Sequence, residues 1–174
     1  MVQIGNFHIG KAETSSPPAL SITEASLLWD FTAARYKCIE ETQIYHNFAH
    51  DKDLQELMKY GLEKTLETQV NKLEQQLNQF SVPLPERPPK SFNFKTIERS
   101  NMFFNDKFLF RQIFEGCQNY MDYLARISRC MITNDSLRSI FLAFLQDEAS
   151  LFDKLCKFGK LKGWIAPSPL YNPQ

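Results

Sequence analysis

Apolar residues recur at three- and four-residue steps along four stretches of this chain, the spacing that lines one face of a helix. In the first stretch Leu27, Leu28, Phe31, Ala34, Cys38, Tyr45 and Phe48 share their stripe with one carboxylate, Glu41. Ser21 precedes it with Glu24 three positions on, so the hydroxyl can accept from a first-turn amide while the carboxylate reaches back to the cap. The run HNFAHDKDL at 46–54 interrupts the stripe, and Asp51 suits the N-cap of a second helix with Asp53 near its positive end. That helix carries Leu54, Leu57, Met58, Gly61, Leu62, Leu66, Val70, Leu73, Leu77 and Phe80. A third, over about 106–133, presents Phe110, Ile113, Phe114, Cys117, Tyr120, Met121, Leu124, Ile127, Cys130 and Met131. After the capping turn Asn134, Asp135, Ser136, a fourth runs over about 135–162 with Leu137, Ile140, Phe141, Phe144, Leu145, Leu151, Phe152, Leu155 and Phe158, interrupted by Glu148. Lys154, Lys157, Lys160 and Lys162 suit its negative end, and Gly163 suits the left-handed closing position.

Pro83, Pro85, Pro88 and Pro89 forbid a continuous helix between Ser81 and Asn105. About 25 residues extend to some 80 Å, whereas a 28-residue helix is about 42 Å long. The linker can therefore run the length of a bundle and start helix 3 at the same end as helix 2. The expected fold is all-α, a four-helix bundle ordered up-down-down-up, with the single long crossover of ferritin-like bundles. Residues 1–20, which end in Ser15, Ser16, Pro17 and Pro18, read as an extended arm before one bundle domain over 21–174.

Composition narrows the function more than the fold. Among 174 residues, 43% are hydrophobic and 20 basic residues balance 20 acidic ones. No overall field favours nucleic acid or an anionic membrane, and a net charge near zero tolerates self-association. No apolar run approaches the ~18 residues of a membrane span, and the first residues lack the pattern of a secretory signal, so an intracellular, cytoplasmic product is expected. Cys38, Cys117, Cys130 and Cys156 lack paired spacing and read as packed free thiols.

The run His46–Leu54, the segment PLPERPP at 83–89, the turn NDSLRS at 134–139 and above all KLKGWIAPSPLY at 160–171 carry a resemblance. Together they resemble a family of domains of unknown function from spore-forming bacteria, often labelled putative spore coat protein and related to the spore coat F type. The resemblance implies a ferritin-like bundle, often without a metal centre, associated with the spore coat. It implies no catalytic residues.

A ferritin-like carboxylate centre needs a Glu from each of two helices and a Glu-x-x-His pair from each of the other two, and no such pair occurs. Glu41 and Glu148 fall at levels about 10 Å apart along the expected bundle. Buried carboxylates need partners. Glu148 is expected to find Tyr120, Arg35 or Arg126, and Glu41 to find His46 or solvent. His46 and His50 are four apart, a spacing that presents two imidazoles on one face unless the helix breaks between them, and His8 lies on the arm. Glu41, His46, His50 and Glu148 are thus the candidates for a polar pocket, with no metal or cofactor expected. Phe92, Phe94, Phe103, Phe104, Trp164 and Tyr171 lie outside the four main stripes, either covering the bundle or forming a contact patch. The functional expectation is a non-enzymatic protein that acts through protein contacts, self-association into a homodimer included. The alternative is a degenerate ferritin-like metal-binding protein or enzyme.

Overall fold

The Ser21 hydroxyl accepts from the Glu24 amide while the Glu24 carboxylate accepts from the Ser21 amide, and this reciprocal cap starts helix α1, Ile22–Phe48. The computed structural model describes residues 2–4, 7–9, 19–87 and 105–165. At the N-terminus, inside the segment expected as an arm, β1 (Val2–Ile4) and β2 (Phe7–Ile9) pair antiparallel, with Val2 opposite Ile9 and Ile4 opposite Phe7.

The buried face of α1 is turned slightly from the expected stripe. Leu28, Phe31, Thr32, Arg35, Tyr36 and Thr42 are buried, whereas Ala34, Cys38, Glu41 and Tyr45 are half-buried. Thr32 and Thr42 fit a core because each hydroxyl donates to a carbonyl one turn back, on Leu28 and Cys38, at 2.7 Å.

Asp51 caps α2 (Lys52–Tyr60), which continues through a π-helical segment, Gly61–Leu66, into α3 (Glu67–Gln79). The three make one rod. Its periodicity predicts a regular helix; the π-segment is an addition, in which the Glu67 amide reaches back five residues to the Leu62 carbonyl. The extra residue puts both Thr65 and Leu66, then Gln69 and Val70, on the buried side. Asn105 caps α4 (Asp106–Cys130), three residues shorter than expected, and Asn134 caps α5 (Asp135–Lys162). Gly163 closes α5 at φ 65°, a conformation that favours glycine.

Contacts at the two ends set the helix directions. At one end, the amides of Thr133 and Asn134 in the α4–α5 turn donate to Glu24 at the start of α1. At the other, the amides of His50 and Asp51 donate to Asp106 at the start of α4, and Lys162 at the end of α5 pairs with Asp51 and Asp53 at 2.7 and 2.8 Å. So α1 and α5 run one way, and the α2–α3 rod and α4 the other. Lys162 was expected to serve the helix dipole; instead it ties two helices together. The crossover begins by folding back on α3, where Arg87 lies 3.3 Å from Glu74, itself hydrogen-bonded by Tyr36. Pro88, Pro89, Phe92, Phe94, Phe103 and Phe104 lie outside the described residues, as does Tyr171.

The core has two halves. Leu28, Phe31, Leu73, Leu77, Leu124, Ile127, Leu137, Phe141 and Phe144 pack near the Glu24 end. Leu54, Met58, Leu109, Phe110, Cys117 and Leu155 pack near the Lys162 end, where Trp164 closes the bundle against Phe110 and Phe158. Gly159 admits that closure, since a Cβ there would stand 2.5 Å from the Phe110 ring and 2.6 Å from Ile165. Gly159→Ala is therefore expected to destabilise by about 1–3 kcal/mol in chemical denaturation, despite the better helix propensity of alanine.

Candidate functional site

Between the two halves of the core the helices present small or polar residues at one level: Cys38 and Thr42 on α1, Gly61 in the π-segment, Gly116 and Cys117 on α4, and Glu148 on α5. The helices cannot close over such short side chains, and a cavity of about 260 Å³ results. A Cβ built on Gly116 meets nothing within 4 Å, and one on Gly61 meets only Leu151 at 4.0 Å. Leu54, Leu57, Met58, Ile113, Leu151 and Leu155 supply apolar wall, and Glu41, Tyr45, Gln112 and Glu115 also line the space.

Arg35 brings a buried cation to this wall. It is wholly buried, its Nη2 lies 2.5 Å from Glu148 Oε2, and its guanidinium stands over the rings of Tyr120 at 4.0 Å and Phe31 at 5.0 Å. Its Nε and Nη1 have no hydrogen-bond partner among the described residues. Tyr120 donates its hydroxyl to the Ala34 carbonyl at 2.8 Å, which holds the ring flat under the cation. Burial pushes the Cys38 and Cys117 thiols up, against the opposing pull of Arg35, and pushes the Tyr120 hydroxyl up as well. The two thiols and the phenol are therefore protonated at neutral pH, and none is a ready nucleophile.

The four sequence candidates separate. Glu148 pairs with Arg35, one of its expected partners, while the Tyr120 hydroxyl goes to the Ala34 carbonyl instead, and Arg126 is exposed. Glu41 lines the cavity but pairs with Lys37 at 3.5 Å in place of His46, because Lys37 lies one turn before it on α1. His46 and His50 are not part of the cavity wall. Helix α1 ends at Phe48, so His46 sits in its last turn and His50 beyond it, exposed, with its backbone amide held by Asp106.

These residues do not fit a carboxylate-bridged metal pair: the one buried carboxylate is already held by a guanidinium, and a second cation at that level would face Arg35. Among the described residues, no three His, Cys, Asp or Glu side chains converge as ligands. Arg35 carries the site, yet the periodicity of α1 places it beside the stripe rather than in it. The signal that put it among the expected partners is Glu148, an acidic residue in the middle of an apolar stripe, which demands a buried partner.

The sequence of residues 10–174 matches the family described as a protein of unknown function, DUF3231. Among solved structures, the chain is similar to a protein of Bacillus halodurans C-125 named a putative spore coat protein, at 22% identity and a TM-score of 0.81, over 89% of this chain and 97% of that one. That likeness shows the helical-bundle fold. No curated protein matches the chain, and no helix among the described residues is long and apolar enough to cross a membrane.

Proposed function

The chain belongs to the DUF3231 family, and from that membership and the surface of the bundle we propose a non-enzymatic, coat-associated protein that acts through protein contacts, self-association included. The observation that carries this reading is the Glu24 end of the bundle. There Ile22 is 91% and Ile132 76% exposed, and Ile132 lines a groove with Ser21, Thr23, Arg129, Cys130 and Thr133. Isoleucine so exposed is costly to leave wet and is the kind of surface that partners cover. A formal net charge of zero leaves no overall repulsion between copies, which favours a second copy of the chain as the occupant. The coat association draws on the name given to the Bacillus halodurans relative and on the resemblance in sequence. The ferritin-like description is supported by the helix directions, α1 with α5 and the α2–α3 rod with α4.

Light scattering together with elemental analysis of tag-free protein tests the proposal. The expected result is a metal-free dimer that the double change Ile22→Asp, Ile132→Asp converts to a monomer with unaltered helical circular dichroism. A wild-type monomer, or one to two equivalents of iron, manganese or zinc per chain, would overturn it.

A further inference from the structure

We propose that the cavity between the core halves is a binding site for a small uncharged molecule with an apolar body and one hydrogen-bond-accepting oxygen. Three independent features point there. The space, about 260 Å³, exceeds the engineered apolar cavities of about 150 Å³ that take up benzene. Its wall is mostly apolar, with Leu54, Leu57, Met58, Leu151 and Leu155 on the α2 and α5 sides. And Arg35, itself part of the wall and 0% exposed, has two nitrogens, Nε and Nη1, without a hydrogen-bond partner among the described residues, and a buried donor left unmet is costly.

The charges select the class of ligand. Glu148 already neutralises Arg35 through its 2.5 Å contact, and the remaining ionisable carboxylates on the wall are Glu41 and Glu115. An anionic ligand would therefore meet three carboxylates and one cation that is already paired, so a carboxylate or phosphate is disfavoured. A cation has no use for the unpartnered Arg35 nitrogens, which can only donate. A carbonyl or ether oxygen satisfies the free N–H groups without adding charge, while an aromatic or short aliphatic body fills the leucine-rich wall. Gly61 and Gly116 keep the space open, and the π-segment that carries Gly61 is the kind of helix irregularity that recurs at functional sites.

The test titrates three probes of similar size, acetophenone, ethylbenzene and benzoate, into the full-length protein and follows amide chemical shifts by NMR. Two variants complete it. Gly116→Leu fills the space at a position where an added side chain meets no neighbour, and it also raises helix propensity. The paired change Arg35→Met, Glu148→Leu removes the donors without stranding a buried charge. Acetophenone is expected to bind the wild type about tenfold or more tightly than ethylbenzene, and benzoate more weakly than either. Gly116→Leu abolishes binding of both neutral probes, and the paired variant loses the preference for acetophenone while still binding ethylbenzene. No binding of acetophenone, binding of benzoate at least as tight, or a preference for acetophenone that survives in the paired variant would each overturn the proposal.

Discussion

Arg35→Met is expected to lose about 3–5 kcal/mol of stability, seen as a lower urea midpoint and a fall in Tm of about 10 °C or more. The size of the effect comes from what remains. The Glu148 side chain is only 4% exposed and Arg35 supplies its ion-pair partner, so removing the cation leaves a buried carboxylate without its counter-charge. Methionine fills much of the guanidinium's volume, which keeps the loss electrostatic rather than steric. The paired variant Arg35→Met, Glu148→Leu should recover most of the lost stability, because a well-packed apolar pair commonly equals a buried ion pair. A single variant as stable as the wild type would mean that the pair contributes nothing, and the double-mutant cycle reads the coupling directly.

The second large effect belongs to Glu24. This wholly buried carboxylate accepts from the Ser21 amide, from the amide and hydroxyl of Thr133 and from the Asn134 amide, so it caps α1 and fastens the α4–α5 turn to it. Burial alone would raise its pKa. The hydrogen bonds from Thr133 and Ser21 outweigh that cost and hold the carboxyl at about 2 instead of 4.5. A carboxylate whose pKa is lowered on folding adds stability that is complete above pH 4.5 and is lost as pH falls towards 2. The contribution is roughly 3 kcal/mol. Glu24→Gln should accordingly be less stable by about that amount at neutral pH, and the gap from wild type should close as denaturation is repeated at successively lower pH. A gap that stays constant down to pH 2 would assign the loss to shape rather than charge.

The two residues differ in how far the sequence announces them. Ser21 and Glu24 form a local pattern, readable because a capping box involves backbone within one turn. The longer reach of Glu24 to Thr133 and Asn134 spans more than a hundred residues and has no local signature. The helix boundaries followed the same division. Asp51, Asn134 and Gly163 act at their expected places because capping is chemistry between near neighbours in the chain. The π-segment at Gly61–Leu66 escaped because it changes the phase of the buried face by one residue, which a stripe of leucines tolerates without visible interruption.

For the candidate site, Glu148 was legible as a charge out of place, and Arg35 as one of several cations able to reach it. Choosing Arg35 over Arg126 needed the packing, which buries the one on α1 and leaves the other, on α4, exposed. The cavity was not legible at all. Cys38, Gly61, Gly116 and Cys117 are ordinary residues in three separate stretches, and a void appears only where their levels coincide. The sequence by itself determined the helices, their caps and an all-α bundle, because periodicity and capping are local and the apolar faces had to be buried against one another. Tertiary structure alone decided the partner of Glu148 and the space beside Arg35, because each depends on the register and rotation of helices far apart in the chain.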